Sequence, residues 1–225
     1  MVVPSGSKRP PSQTWSFAMT AIQSKSVFLY RQIRRALRSG GYAPGQRIDP
    51  ATIAAEFHTS ATPVRFALYR LVGEGLIADH GRAGLYVPLL TEVALRDLYD
   101  WMRRLLLMAC DIGIEVASRA NAELETVSSS DDVPKRTWQL FDAIAQSTDH
   151  RALHHAVKQA NDRLAPIRRA GRVDDACEEI SALIQHWQTC DIESLSAGLN
   201  AYHERRKQLV PHIVACLGDN SELLN

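Results

Sequence analysis

The first organised segment of the chain announces itself by apolar residues at helical spacing. Val27, Tyr30, Ile33 and Leu37 define one face, and Arg31, Arg34, Arg35 and Arg38 fall on the others. Gly40-Gly41 ends this predicted helix, and Ala43-Pro44-Gly45 makes a turn that blocks its continuation. Asp49 then has the chemistry of an N-cap, with Pro50 at the first helical position and Ile53, Ala54 and Phe57 facing inward. After a break at His58-Thr59-Ser60, Ser60 or Thr62 caps a third helix that opens with Pro63 and buries Val64, Leu68 and Leu71, with Gly73 and Gly75 marking its end. Two extended runs follow, Leu76-Ile77-Ala78 and Leu85-Tyr86-Val87, joined by the glycine-containing stretch His80 to Gly84, which is hairpin chemistry. Helix, helix, turn, helix and hairpin is the order of a winged helix-turn-helix.

Past Leu90 the strand-like alternation disappears. Helical patterns run from Glu92 to Ala120, Lys135 to Ser147, His150 to Ala170, Asp174 to Thr189 and Ile192 to Leu217, with Ser128 to Pro134 reading as a loop. The expected fold is therefore mainly α: an N-terminal winged helix-turn-helix with a small β-hairpin wing, followed by an all-α helical bundle. Three segments are expected, a Pro/Ser/Gly-rich arm over 1–23, the winged domain over 24–90 and the helical domain over 91–225. Lys8 and Arg9 give the arm a basic character.

Composition adds little until charge is divided along the chain. Of the 225 residues, 45% are hydrophobic and 23% charged, which suits an ordinary globular protein. No apolar run reaches the roughly 18 residues of a membrane span, and the N-terminus lacks the apolar centre of a secretory signal, so no membrane role and a cytoplasmic location are expected. Cys110, Cys177, Cys190 and Cys216 are far apart in sequence and are expected to be reduced, buried thiols. The formal charge of +1 hides an asymmetry: Ser24 to Leu90 holds nine Lys/Arg against four Asp/Glu, whereas Thr91 to Asn225 holds fifteen against twenty-one. A basic front joined to an acidic back is what a nucleic-acid-binding module carrying a non-binding domain would show. No nucleophile elbow, phosphate-cradling glycine loop or paired-carboxylate motif is present, so no enzymatic activity is expected.

At this point the sequence resembles the GntR transcription regulators. Their pattern is a helix, a PG turn, a short helix containing LA, a recognition helix like VSRTPVREAL, an EGL turn and a glycine-bearing wing. Here those parts stand as Ala43 to Ile48, Ile53 to Phe57, Thr59 to Leu68, Glu74-Gly75-Leu76-Ile77 and Gly84-Leu85-Tyr86-Val87, in order across the domain. The resemblance implies a sequence-specific DNA-binding regulator, expected to be a repressor, that grips a pseudo-palindromic double-stranded operator as a homodimer. The DNA-binding residues it implies are Arg47, Thr59, Ser60, Thr62, Arg65, His80 and Arg82. Arg65 is the principal base contact, since a guanidinium fork matches guanine O6 and N7. Ala61 departs from the pattern where an arginine is common; one lost bidentate contact is worth about 1–3 kcal/mol.

The helical half resembles, more loosely, the FadR/FCD subfamily, in Asp97-Leu98-Tyr99-Asp100, in Leu140 to Arg169 and in Cys190-Asp191-Ile192-Glu193. That resemblance implies a cavity for a small-molecule effector. The subfamily's usual Asp and three His metal ligands fall on Thr137, Phe141, Ile180 and Tyr202, none a good ligand, and His203 lies one place off its column, about 100° round a helix. No metal and no cofactor are expected. Arg103, Phe141, Ile180 and Tyr202 are the candidate effector contacts. A second reading stays open, in which the helical half only dimerises and senses no ligand. His150 and His154, spaced i, i+4, are read as structural histidines, and Trp101, Trp138 and Trp187 as core.

Overall fold

The computed structural model describes residues 11–113, 132–171 and 176–222. The sequence readings that fall on 1–10 and on the end of the helix expected to reach Ala120 lie outside them. Helix α1 spans Pro11–Ser39. Residues 11–23, expected to be part of an arm, thus carry helical backbone. Within its C-terminal half Leu29, Tyr30, Ile33 and Leu37 are buried, while Val27, placed on the inner face by its spacing, is exposed. Gly40 ends the helix at φ +80°, and the Gly41 N–H bonds back to Ala36 O at 2.8 Å, the left-handed glycine cap that satisfies orphan carbonyls.

Strand β1 (Arg47–Ile48) precedes α2 (Pro50–Glu56), and α3 covers Ala61–Gly73. Asp49 caps α2 by accepting from the Ala51 N–H, as its position before Pro50 predicts. The wing is β2 (Ala78–Asp79), a 3-10 turn over Gly81–Ala83, and β3 (Leu85–Tyr86). The sequence implied two strands; the sheet has three, in the order β1-β3-β2, all antiparallel, with Tyr86 facing both Arg47 and Ala78. A two-residue strand has no alternation to detect. β1 forms only because the Pro44-Gly45 turn returns the chain alongside β3, where the Gly45 N–H bonds Val87 O and the Val87 N–H bonds Gln46 O.

The helical half comprises α4 (Glu92–Ile112), α5 (Val133–Gln146), α6 (Arg151–Ala170), α7 (Ala176–Gln188), α8 (Ile192–Gln208) and α9 (Val210–Glu222). The helix expected over Ile192 to Leu217 is two. Pro211 has no N–H for the Lys207 carbonyl, and the ring would collide with it; that carbonyl instead accepts from Arg96 of α4 at 2.5 Å. The segment expected to be a loop up to Pro134 also ends sooner, since Asp132 caps α5 and Pro134 lies in its first turn.

Buried apolar residues form two clusters, one from Leu29 to Val87 and one from Leu95 to Leu217. The two meet where α1 packs on α6. Asp162 of α6 is fully buried there, accepting from Arg34 of α1 and, at 2.8 Å, from the Trp138 indole N–H of α5. Arg38 stacks over the Trp138 ring at 4.2 Å. Trp138 is thus a joint residue, half-buried; Trp187 is core at 1% exposure; and Trp101, expected in the core, is 49% exposed. Of the thiols expected to be buried, Cys110 is, Cys177 and Cys190 are exposed, and Cys216 is half-buried.

Candidate nucleic-acid interface and effector cavity

Helix α3 is two-faced. Pro63, Val64, Ala67, Leu68 and Leu71 are buried against α1 and α2. Thr62, Arg65, Phe66, Tyr69 and Arg70 form the outer face. Arg70 turns back into the domain, its guanidinium 3.9 Å over the Tyr30 ring and its Nε 3.4 Å from Glu74. Arg65 has no such tie: among the described residues nothing bonds it, and it projects as a free cation beside Thr62. Ser60 stands at the N-cap of α3 with its hydroxyl unused for capping. Lys25, His58, Thr59 and Ser60 share the rim of one shallow surface depression at this helix end, so Lys25 joins the predicted set. Helix N-terminal N–H groups, free hydroxyls and a lysine are the usual equipment for a backbone phosphate.

The wing carries the other predicted residues on its exposed surface. His80 packs edge-on to Tyr86 with ring centroids 5.4 Å apart, and Arg82 sits in the 3-10 turn at the tip. Arg47 stands on β1, which leads into α2, and its guanidinium lies across Gly84; a Cβ there would meet Arg47 Nε at 3.2 Å. Gly84 has φ 105° and ψ −164°, a conformation essentially reserved for glycine. The structure therefore gathers Arg47, His80 and Arg82 on the wing and Thr59, Ser60, Thr62 and Arg65 at the start of α3.

In the helical half a cavity of about 380 Å³ is lined by Tyr99, Thr137, Arg168, Arg169, Tyr202 and Arg206, among others. Tyr202 is the one predicted effector contact on its wall. Phe141 and Ile180 are fully buried and do not line it. Phe141 fills its column by stacking on His203 (centroids 5.5 Å, 27°) and meeting Tyr202 edge-on at 5.6 Å. Arg103 does not line it either. It bonds Asn200 Oδ1 and Asp100 Oδ1, both at 2.8 Å, in a network that also contains Arg104, Glu204 and Lys207.

What the sequence reading missed is the pair Arg168 and Arg206. Arg206 is 3% exposed, paired with Glu179 and stacked 4.0 Å over the Tyr202 ring. Arg168 donates through Nη1 to Asn161 Oδ1 at 2.6 Å, but its Nε and Nη2 are buried and have no acceptor among the described residues. Buried donors of a cation without acceptors cost several kcal/mol. The signal was present in the chain: Arg206 follows Leu199 and Tyr202 at i+7 and i+4 on the inner face of α8, where a solvated arginine does not belong. His203 is fully buried. Its Nδ1–H donates to Leu199 O at 2.7 Å, and burial, with Arg168, Arg206 and Arg103 nearby, pushes the imidazole down to about 3. The histidine is therefore neutral. Among the described residues no group of three or more His, Cys, Asp or Glu could hold a metal ion. His150 caps α6 by accepting the Leu153 N–H, and His154 pairs with Asp142 at 2.9 Å.

With this geometry in view, residues 25–87 match the model described as bacterial regulatory proteins, gntR family. Residues 25–87 are a GntR-type helix-turn-helix domain. Over 59 residues the chain is 37% identical to the Nta operon transcriptional regulator of Aminobacter aminovorans, covering 26% of this chain and 28% of that protein. Over 88 residues it is 28% identical to the HTH-type transcriptional regulator YdhC of Bacillus subtilis (strain 168), covering 39% of each. These alignments thus span well under half of the relatives' lengths. Two solved structures share the whole architecture: a structural-genomics crystal structure of a GntR protein from Rhodococcus sp. RHA1 (TM-score 0.70, 16% identity, 84% of this chain and 98% of that one), and E. coli McbR/YncC (TM-score 0.67, 20% identity, 84% and 97%). The winged domain plus helical C-terminal domain is therefore the fold of GntR regulators. Among the described residues no helix is long and apolar enough to cross a membrane.

Proposed function

We propose that this chain is a transcriptional regulator, a repressor acting in the cytoplasm, that binds a pseudo-palindromic operator as a homodimer. In this reading a small anionic effector in the helical cavity sets its affinity. The observation that carries the DNA reading is the outer face of α3, where Arg65 has no partner among the described residues and stands beside Thr62 and a Ser60 whose hydroxyl does not cap. Placed in the major groove, that face aims Arg65 at base edges and Ser60 at a phosphate, while Arg47, His80 and Arg82 follow the backbone from the wing. Two copies would engage half-sites about one helical turn apart.

The effector reading rests on the cationic side chains of Arg168 and Arg206 lining a cavity with apolar walls, a setting that demands an anion. A carboxylate or phosphate group fits that demand, with the rest of the molecule against Ile167 and Ile213. Coupling to the reader has a short route. Arg169, on the cavity wall, donates to Arg38 O at the end of α1 and to Asp132 at the start of α5, both at 2.8 Å. An anion drawing on Arg168 thus acts one residue from a contact that positions α1.

Fluorescence anisotropy with oligonucleotides selected by the protein from a random pool tests the DNA reading. Arg65→Ala is expected to lose about 5- to 100-fold in affinity per half-site with unchanged melting temperature; equal affinity would remove the main contact. For the effector, a thermal-shift screen of small carboxylates and phosphates is expected to find ligands that stabilise the wild type and not Arg168→Met. No stabilisation by any acid, with DNA binding intact, would favour a helical half that serves dimerisation alone, which the complete filling of the Phe141 and Ile180 columns would then explain.

A further inference from the structure

Phe66 is 61% exposed, the largest exposure among the bulky apolar residues of the winged domain. It lies on the outer face of α3, next to Arg65, one turn after Thr62 and one turn before Tyr69. The ring has no aromatic partner among the described residues: the ring pairs of this domain are Phe28 with Phe57 and His80 with Tyr86. The core beneath is complete without it, because Val64, Ala67, Leu68 and Leu71 are all at 1% exposure or less. Most of the Phe66 ring thus lies outside the domain's sealed core. It stands where the family pattern quoted above has a glutamate, so an acid that phosphates would repel is replaced by a flat apolar surface.

We propose that Phe66 reads the C5-methyl group of a thymine in the major groove, making it a specificity-determining residue. The claim rests on the DNA-binding reading above. A thymine methyl is the apolar group that bases present in that groove, and phenylalanine is among the side chains suited to meet it. The occupant is fixed as DNA by charge. The free Arg65 is adjacent, Ser60 and Lys25 flank the same helix end, and the winged domain carries an excess of basic residues. The preference it confers is for thymine over cytosine beside the guanine taken by Arg65, which partly offsets the specificity missing at Ala61.

The test uses the full chain and operator duplexes enriched from a random pool. Each thymine of one half-site is replaced singly by deoxyuridine, which removes the methyl and leaves pairing intact. Wild type is expected to lose roughly fourfold in affinity at one position, the worth of one buried methyl-sized group. Phe66→Ala should bind the parent duplex more weakly and show no uridine penalty at that position; Phe66→Leu should retain part of it. Absence of any uridine-sensitive position, or an equal penalty in Phe66→Ala, overturns the proposal while leaving DNA binding intact. Failure of the wild type to enrich any sequence overturns both. Dissociation of a DNA-free dimer by Phe66→Ala, read by sedimentation, would assign the ring to a subunit contact and also overturn it.

Discussion

Replacing Arg34 with alanine strands a carboxylate. Asp162 is fully buried, whereas the Arg34 side chain keeps 22% of its exposure, so the two members of this pair are not equivalent. Arg34→Ala leaves Asp162 with the Trp138 N–H at 2.8 Å as its remaining side-chain donor among the described residues and also removes a 2.8 Å bond to the Tyr30 hydroxyl. Breaking a buried ion pair from one side costs about 3–5 kcal/mol, and the surviving indole bond places this one near the lower figure. The cost should depend on pH. Burial already pushes the Asp162 carboxyl up, with Arg34 the chief opposing influence, so its loss raises that group further. A folded-state value above the unfolded one means that the native state binds more protons. The part of the penalty that comes from the stranded charge is therefore absent at pH below the already raised wild-type value of Asp162, where the carboxyl is protonated in both folded proteins. It grows by up to about 1.4 kcal/mol per pH unit above that, then levels off beyond the still higher value of the variant. Urea unfolding of wild type and Arg34→Ala at pH 5 and pH 7.5 measures the gap, which should be smaller at pH 5. Asp162→Asn keeps an acceptor for Trp138 and carries no charge to strand, so in the Arg34→Ala background it should recover most of the loss at pH 7.5. A cost below about 1 kcal/mol at pH 7.5, a gap indifferent to pH, or no recovery by Asp162→Asn would refute the reasoning.

Three further outcomes are expected. The His203 imidazole, held down to about 3, stays neutral in the fold, so its contribution to stability is complete above its unfolded value of about 6.5; it is lost by about 1.4 kcal/mol per unit as pH falls toward 3. Nitrogen chemical shifts at pH 5 should show a neutral ring protonated at Nδ1, and a midpoint near 6.5 would contradict its burial. Gly84→Ala forces a side chain into φ 105° against Arg47, and it should lower stability by about 1–3 kcal/mol and weaken DNA binding through the wing; calorimetry and anisotropy read the two effects, and an unchanged melting temperature counts against the strain. With a thiol reagent, Cys177 and Cys190 should react at once in the native protein, while Cys110, buried and with its thiol pushed up, should react only on unfolding; rapid native labelling of Cys110 would mean that α4 does not pack as described.

Local chemistry was enough to read the winged domain. Asp49 before Pro50, Pro63 inside α3 and the glycines at 40, 75 and 84 each act within a few residues, so the caps, turns and the recognition helix are written in sequence order. The same local rules placed the helical half but misjudged what depends on distant partners. Two residues of β1 become a strand only beside β3. Trp101 and Trp187 share apolar chemistry, yet one is half-exposed and one sealed, because helix spacing fixes a face and not what lies opposite it. The effector site shows the limit best. Arg103 sits where charge was expected, but Asp100 and Asn200 hold it, while Arg168 and Arg206 converge on the cavity because α6 and α8 both line it. By itself the sequence determined that a basic, winged helix-turn-helix precedes an acidic helical domain. Only the tertiary structure decided which arginines keep their donors free, since that depends on which acids three-dimensional packing brings within reach.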